Sequence, residues 1–215
     1  MSAVLELLLA DARTPSGGHA HSGGLEAALA AGLAVAEVPG FMRARLRTVG
    51  LVDAAFAALA TRAGTLEELL ALDFELAART PAEPLRRAAR TLGAGLLRTA
   101  CAWWPQAEPL AGYAAESALT PRPVALGAVA RAAGLSPLAA ARLSVYDDAA
   151  TVASAAVKLA ALGAAVASGW VAALAAEIDE LALSARAGGP PSTCAPLLDR
   201  RALVHARAER RLFAS

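Results

Sequence analysis

Alanine, leucine and arginine recur at helical spacing along most of the chain, and this pattern limits the possible fold more than any other feature. Alanine has the highest helix propensity of all residues, whereas the β-branched residues that favour strands are scarce. Ile178 is the only isoleucine, and runs of Val, Ile, Thr and aromatic residues are absent. A chain of 215 residues is long enough to bury a substantial core. We therefore predict an all-α fold, a single-domain bundle of about ten helices.

Capping residues and helix breakers mark the predicted helix boundaries. Thr65 with Glu68, and Thr80 with Glu83, place a hydroxyl three residues before a carboxylate, which is the spacing of a capping box. A linker rich in glycine and proline, 188–192, separates an all-helical domain, 1–187, from a tail, 188–215. The predicted helices cover residues 4–9, 25–31, 39–63, 66–79, 81–103, 106–118, 123–134, 137–149, 150–168 and 170–186, with part of the tail; the spans 137–149 and 150–168 can be one bent helix or two.

Composition bounds the class of protein. The net charge is +1, so no overall field draws the chain toward nucleic acid. Cys101 and Cys194 are far apart and give no disulfide framework or Cys-x-x-Cys metal site, which favours a reducing compartment such as the cytoplasm. The apolar N-terminal run lacks a preceding positive charge, which argues against a signal peptide.

The window 151–174 is long enough to cross a bilayer, but its small residues and central Lys158 favour a buried core helix over a membrane span.

A glycine-rich loop, residues 14–26, interrupts the helical pattern near the N-terminus. Its sequence is Thr-Pro-Ser-Gly-Gly-His-Ala-His-Ser-Gly-Gly-Leu-Glu. Glycine can adopt positive φ and lets other backbone approach, so the segment is predicted to be a shaped loop that leads into a helix. Ser22 does not match the nucleophile motif Gly-x-Ser-x-Gly, because position 20 is alanine, and no phosphate-binding loop motif occurs. We interpret Ser22 as the N-cap of the next helix and Glu26 as a first-turn carboxylate that favours the helix dipole.

His19 and His21 lie two residues apart in the same loop. Imidazole suits nickel, zinc or copper, but no Cys, Asp or Glu cluster accompanies the pair to complete a coordination shell. A structural role, in which a histidine bonds to loop backbone, is favoured; an interface role and a metal-ligand role are the alternatives.

The remaining charged clusters contain no catalytic pattern. Asp147 and Asp148 are adjacent on a predicted helix and point about 100° apart, so they are interpreted as a solvated face and not as an acid/base pair. The arginine clusters are interpreted mostly as solvated faces, although the basic tail can dock on an acidic partner; they occupy positions 43, 45, 47, 86, 87, 90, 200, 201, 207, 210 and 211. The absence of a catalytic constellation favours a scaffold or adaptor over an enzyme.

The alternative function is that of an all-α regulatory protein that binds a small ligand or DNA. Residues 130–143 faintly resemble a helix-turn-helix with Gly134 in the turn. However, Arg142 is the only strong reader of base edges in the second helix.

The glycine-rich loop resembles a motif of the urease accessory protein UreF family, which has proline and glycine, an aromatic residue, and then Ala-His-Ser-x-Gly-Leu-Glu. Three later stretches agree in order, so the resemblance covers nearly the whole chain: 79–97 with Glu83 and Leu-Gly-Ala-Gly-Leu-Leu, 123–127 with Pro-Val-Ala-Leu-Gly, and the ending Arg-Leu-Phe-Ala-Ser. The resemblance implies an all-α, dimeric protein that is not an enzyme and needs no cofactor. It also implies a bridge between a UreD/UreH-like protein and the GTPase UreG for delivering nickel to apo-urease, with a C-terminal segment that becomes ordered on a partner.

Two sets of residues are singled out by this resemblance. His21, Ser22, Gly24 and Glu26 are expected to form the loop and helix start, and Lys158, Arg211, Leu212 and Phe213 to contact partners. The chain departs from the family pattern Ala-Val-Arg-Leu-x-Pro-Leu-Gly-Gln at 156–164, where it has Lys158, Ala161 and Ala164, and His19 replaces the aromatic residue. Because lysine lacks the two-pronged hydrogen bonding of arginine, partner contacts through this helix are expected to differ.

Overall fold

The described residues form α-helices joined by short connections and contain no strand, which confirms the all-α prediction. The computed structural model describes residues 3–15, 20–208 and 211–213. The helices are α1 (Ala3–Ala10), α2 (Leu25–Ala30), α3 (Val38–Arg45), α4 (Leu51–Arg62), α5 (Leu66–Ala78), α6 (Glu83–Trp103), α7 (Leu110–Glu116), α8 (Arg122–Ala132), α9 (Pro137–Leu159), α10 (Ala164–Ala173), α11 (Ala175–Ala187) and α12 (Pro196–His205).

The helix predicted for 39–63 is a continuous helical stretch with a wider turn in its middle. A short 3₁₀ helix, Val35–Glu37, leads into α3, and a π-helical turn, Leu46–Gly50, joins α3 to α4. π-Helical turns are rare, and those that occur are often found at functional sites. Arg45 lies at the N-terminal side of the turn and Asp53 lies beyond it, and both residues line the same pocket.

Helix α4 packs against α8 and α9 at the centre of the bundle. Five alanines make up much of its buried face: Ala54, Ala55, Ala57, Ala58 and Ala60. Across the α4–α8 contact, a Cβ atom at Gly127 would lie only 2.5 Å from the Ala60 Cβ, so this crossing requires glycine at position 127. Such small residues let the backbones approach closely.

Apolar side chains form two clusters on either side of this central layer. Phe56 and Tyr113 belong to the first, which joins α4 to α5, α6, α7 and α8. Leu25 and Val145 belong to the second, which joins α2, α3, α9 and α11. Phe213, near the C-terminus, also packs in the second cluster. Phe213 is therefore part of the core.

One of the two predicted capping boxes is present. The Glu68 N–H donates to Thr65 Oγ1 at 3.2 Å, and the Thr65 N–H donates to Glu68 Oε2 at 3.1 Å. The box predicted at Thr80 and Glu83 is wrong, because the Thr80 hydroxyl donates backward to the Leu76 carbonyl at 3.1 Å. Helix α6 instead begins at Glu83 without a side-chain cap.

Of the two alternatives for 137–168, one helix continues past residue 149 as the first allowed, but the predicted end of that helix at 168 is wrong. A single helix, α9, runs from Pro137 to Leu159, and α10 begins at Ala164. Ala161 between them has φ of 51°, a left-handed conformation that no glycine signals in the sequence. The helix predicted for 170–186 is divided at Leu174, and α7 is shorter than predicted.

Within the described ranges, no helix combines the length and apolar character needed to cross a membrane. The window that raised this alternative is shared between α9 and α10. Much of its α9 part is buried against the rest of the bundle, including Val152, Ala155 and Ala156, so the core-helix interpretation holds for that part.

Candidate functional site where the glycine loop meets the C-terminal tail

The end of the glycine loop turns sharply into α2. Gly23 and Gly24 have φ of 60° and 83°, and Gly24 is the residue that precedes the helix. Ser22 is therefore not the N-cap in the sense predicted, but its buried Oγ still accepts the Glu26 N–H at 3.4 Å. Gly23 and Gly24 thus shape the described end of the loop, as the sequence predicts. His21 is buried beside this turn, whereas His19 lies outside the described residues.

Gly24 allows α12 to pack on the loop. A Cβ atom at this position would lie 2.5 Å from Leu198 Cδ1, so the end of the Leu198 side chain would have to move for any larger residue. The positive φ at Gly24 adds a second reason for glycine, because residues with a side chain rarely adopt it. The two glycine requirements act together to seat the C-terminal helix against the start of α2.

Glu26 binds the tail through its carboxylate. The backbone N–H groups of Leu212 and Phe213 donate to Oε1 and Oε2 at 2.7 and 3.0 Å. His205, at the end of α12, places its Nε2 atom 3.1 Å from Oε2. Hydrogen bonds to a charged acceptor are stronger than neutral ones. His205 Nε2 makes no hydrogen bond within the described residues, so Glu26 fixes the segment 212–213 and lies beside the end of α12.

Phe213 inserts its ring into the second core cluster. Its exposed fraction is 6%, and the Lys158 Nζ atom lies 5.4 Å from the ring centroid. A cation at this distance from an aromatic face is attracted to it. Lys158 near the end of α9 thus contacts the tail, although lysine stands where the family pattern has arginine.

These contacts define a tail-anchor site made of Glu26, Lys158, His205, Leu212 and Phe213. Four of its members come from the predicted set, and the sequence analysis missed His205. A signal was present, because His205 lies in the basic tail that was expected to dock. Of the residues predicted to contact partners, Phe213 is buried within the chain, whereas Leu212 is 63% exposed and Arg211 is exposed.

A second group of polar residues forms a buried charge cluster next to the loop. Arg45 pairs with Asp148 at 2.6 Å, and Arg122 pairs with Asp147 at 3.0 Å. Asp148 and Arg45 have side-chain exposures of only 11% and 14%. The prediction that Asp148 and Arg45 lie on solvated faces is therefore wrong, because α3 and α9 bring these two charges together in a largely buried pair. Asp147, in contrast, keeps a side-chain exposure of 39%.

Asp53 completes this cluster. Burial, together with the nearby Asp148 charge, raises the pKa of Asp53 to about 7, although Arg45 and Arg122 partly oppose the rise. The cluster lines a cavity of about 180 Å³ that His21, Gly23 and Gly24 also border. The charges therefore lie beside the end of the glycine loop. In the described ranges, no three His, Cys, Asp or Glu side chains are arranged to hold a metal ion.

The helix-turn-helix seen faintly in the sequence does not expose a recognition helix. Ala139, Ala140 and Leu143 at the start of α9 are buried. Arg142, the predicted base reader, donates to Asp179 on α11 at 2.6 Å. The arrangement packs α8 and α9 into the core and gives the DNA-binding alternative no support.

Comparison with known proteins decides the family. The family model described as UreF matches residues 34–175, which contain α3 through α10. The chain belongs to the UreF family of urease accessory proteins. Full-length relatives extend this match to the glycine loop and the tail. The urease accessory protein UreF of Mycobacterium sp. (strain JLS) is 42% identical over 211 residues, 97% of each chain.

Two further relatives carry the same name. The UreF protein of Mycobacterium marinum is 39% identical over 214 residues, 97% of each chain. The UreF protein of Mycolicibacterium vanbaalenii is 40% identical over 223 alignment positions, which cover both chains completely. The residues of the tail-anchor site therefore lie within the length that UreF relatives share with this chain.

Proposed function

We propose that this protein is a non-catalytic adaptor for urease maturation. It bridges a UreD/UreH-like accessory protein and a UreG-type GTPase so that nickel is inserted into apo-urease. The observation that carries the proposal is the tail-anchor site, where Glu26, Lys158 and Phe213 meet from parts of the chain up to 187 residues apart. All three lie in stretches that correspond to UreF motifs. Family membership supplies the connection with urease.

The chemistry of this site suits binding better than catalysis. The Glu26 carboxylate is occupied by two backbone donors, and the Phe213 ring is buried. These interactions hold the tail in place and shape a surface. The anchored tail then presents Leu212 and Arg211 outward, where a partner can contact them.

The two parts of the chain are proposed to have different roles. Residues 1–187 are the helical domain, and residues 188–215 are the linker and the docking tail to which the partner binds. Within the second part, the Thr193 hydroxyl donates to the Thr48 carbonyl at 3.0 Å, and α12 packs on α2 and α6. The adaptor is proposed to work in the cytoplasm as a homodimer.

Co-expression with a UreD/UreH-like protein and a UreG-type GTPase, followed by size-exclusion chromatography, tests this proposal. We expect the three proteins to elute together. Phe213→Ala should weaken the assembly by releasing the tail, and Leu212→Ala should weaken it by removing an exposed contact. Leu183→Ala on α11, where the side chain is 48% exposed, is the matched control and should leave the assembly intact. Elution of the wild-type chain without either partner would contradict the proposal.

A further inference from the structure

A groove separates α2 from α12 on the surface next to the tail-anchor site. Ala27, Ala30 and Ala31 line its α2 side, and Leu197 and Val204 line its α12 side. The volume of the groove is about 330 Å³. Leu197 and Val204 are 53% and 66% exposed, so two large apolar side chains of one short helix face solvent. Small residues opposite large apolar ones leave room for side chains from a partner.

Arginines border the same groove. Arg200 and Arg201 line it, and no carboxylate of the described residues lies within 4.0 Å of either guanidinium group. The sequence from 196 to 215 carries five arginines against two carboxylates, although the whole chain has a net charge of only +1. Positive charge is therefore concentrated at this end of the chain. Complementary charge favours and steers the approach of an acidic partner.

We infer that this groove is a docking site for an acidic amphipathic helix of the UreD/UreH-like partner. The inference rests on the proposed function and adds to it the surface and the chemistry of the contact. Apolar side chains of the partner helix occupy the space between the alanines and Val204, and its carboxylates pair with Arg200 and Arg201.

The charge distribution argues for this occupant over two others. A second copy of the chain that used the same groove would bring arginines against arginines, which is unfavourable. A nucleic acid strand would favour aromatic side chains on which bases stack, and the groove is lined by alanine, leucine and valine.

The tail-anchor site holds the groove in shape. The contact between Leu198 and Gly24 fixes the start of α12 against the loop. At the other end of the same helix, His205 Nε2 lies 3.1 Å from Glu26 Oε2. Binding in the groove and anchoring of the tail are therefore expected to depend on each other.

Binding of the purified UreD/UreH-like protein, measured by calorimetry at low and at physiological salt, tests this inference. The double variant Arg200→Glu/Arg201→Glu should bind at least about tenfold more weakly, and the wild-type affinity should fall as salt rises. Ala30→Gln, at an exposed position, should weaken binding by filling the groove without changing the charge. Circular dichroism checks that both variants are folded.

A charge-matched control separates the effect of the groove arginines on binding from the effect of the net charge of the protein. Arg98→Glu/Arg186→Glu removes two exposed arginines outside the groove and should bind as the wild type does. If the partner bound the wild type and all the variants with equal affinity, the inference that the groove is the docking site would be wrong, while the proposed function would stay intact. Failure of the wild type to bind at all would contradict both. If the groove variant kept the protein partner but lost binding to duplex DNA or to phosphatidylserine vesicles, the groove would belong to a polyanion, and the inference would be wrong.

Discussion

Glu26 is the residue whose substitution tests the tail-anchor site most simply. Glu26→Gln keeps the size of the side chain but removes the charge that accepts the Leu212 and Phe213 N–H groups. Hydrogen bonds to a charged group contribute about 1.5–3 kcal/mol, so we expect a loss of about 1–3 kcal/mol in the free energy of tail docking. Amide hydrogen exchange at Leu212 and Phe213 measures this loss directly.

Glu67→Gln provides the control for that experiment. Glu67 lies exposed in the first turn of α5, remote from the tail in the sequence, and its substitution should leave exchange at both amides unchanged. Equal protection of these amides in Glu26→Gln and the wild type would show that the carboxylate does not hold the tail.

Asp53 gives the protein a pH-dependent stability with a defined sign. The folded-state pKa of about 7 lies above the ordinary value of 3.8, so the folded state binds the proton more tightly than the unfolded chain does. The stability associated with this group is therefore fully present below about pH 4 and is lost as the pH rises through about 7. Asp53→Asn should remove this loss and be more stable than the wild type at pH 8, by at most about 4 kcal/mol.

Urea unfolding at pH 5 and pH 8 (about two units below and one above neutrality) measures the effect. The gap between Asp53→Asn and the wild type should widen from the lower pH to the higher. Glu180→Gln, at an exposed position on α11, should show no such widening. A gap that is the same at both pH values would mean that Asp53 does not titrate in this range.

Single-residue reasoning from the sequence was least reliable for charges. Asp147 and Asp148 looked like a solvated pair because adjacent residues on a helix point in different directions. Each in fact meets its own arginine, Arg122 and Arg45, which lie 25 and 103 residues away. Whether a charged residue is solvated or paired depends on which helices become neighbours, and local spacing does not contain that information.

At the scale of elements, the junction of the loop with α2 and α12 depends on Gly24. Gly24→Ala must adopt positive φ, which costs about 1–2 kcal/mol, and must also displace Leu198. Because only the end of the Leu198 side chain has to move, overpacking adds about 1 kcal/mol, and we expect a total loss of about 2–3 kcal/mol in the free energy of unfolding. Urea denaturation measures this loss.

Gly32→Ala separates the two contributions. Gly32 has φ of 95° but no atom within 4 Å of the position that its Cβ would occupy. This variant should therefore lose only the conformational part of the energy. Equal destabilisation by the two substitutions would show that α12 does not press against the loop at Gly24.

Helices themselves were predicted well because their signals are local. The capping box at Thr65 fixed the start of α5, and prolines marked the start of α8 and α9. The breaks at Ala161 and Leu174 were missed because neither residue is a helix breaker. Packing of α10 and α11 on α9 and α4 sets those boundaries, and it overrides the helix propensity of the local sequence.

At the scale of the whole molecule, the tail-anchor site is made of parts of the chain that meet only after folding. The UreF resemblance singled out the loop, Lys158 and the tail as separate motifs. The structure brings Glu26, Lys158 and Phe213 into one site, which the spacing of residues alone could not predict. The sequence thus identified most members of the site, and the fold determines how they contact one another.

The most direct test of the adaptor function is the nickel content of urease purified from cells that express urease, the other accessory proteins and this chain. We expect nickel-loaded, active urease with the wild-type chain. Without the chain, or with a chain truncated before His205 so that the tail is lost, we expect urease largely without nickel. Equal nickel loading of urease in the presence and absence of the chain would contradict the account.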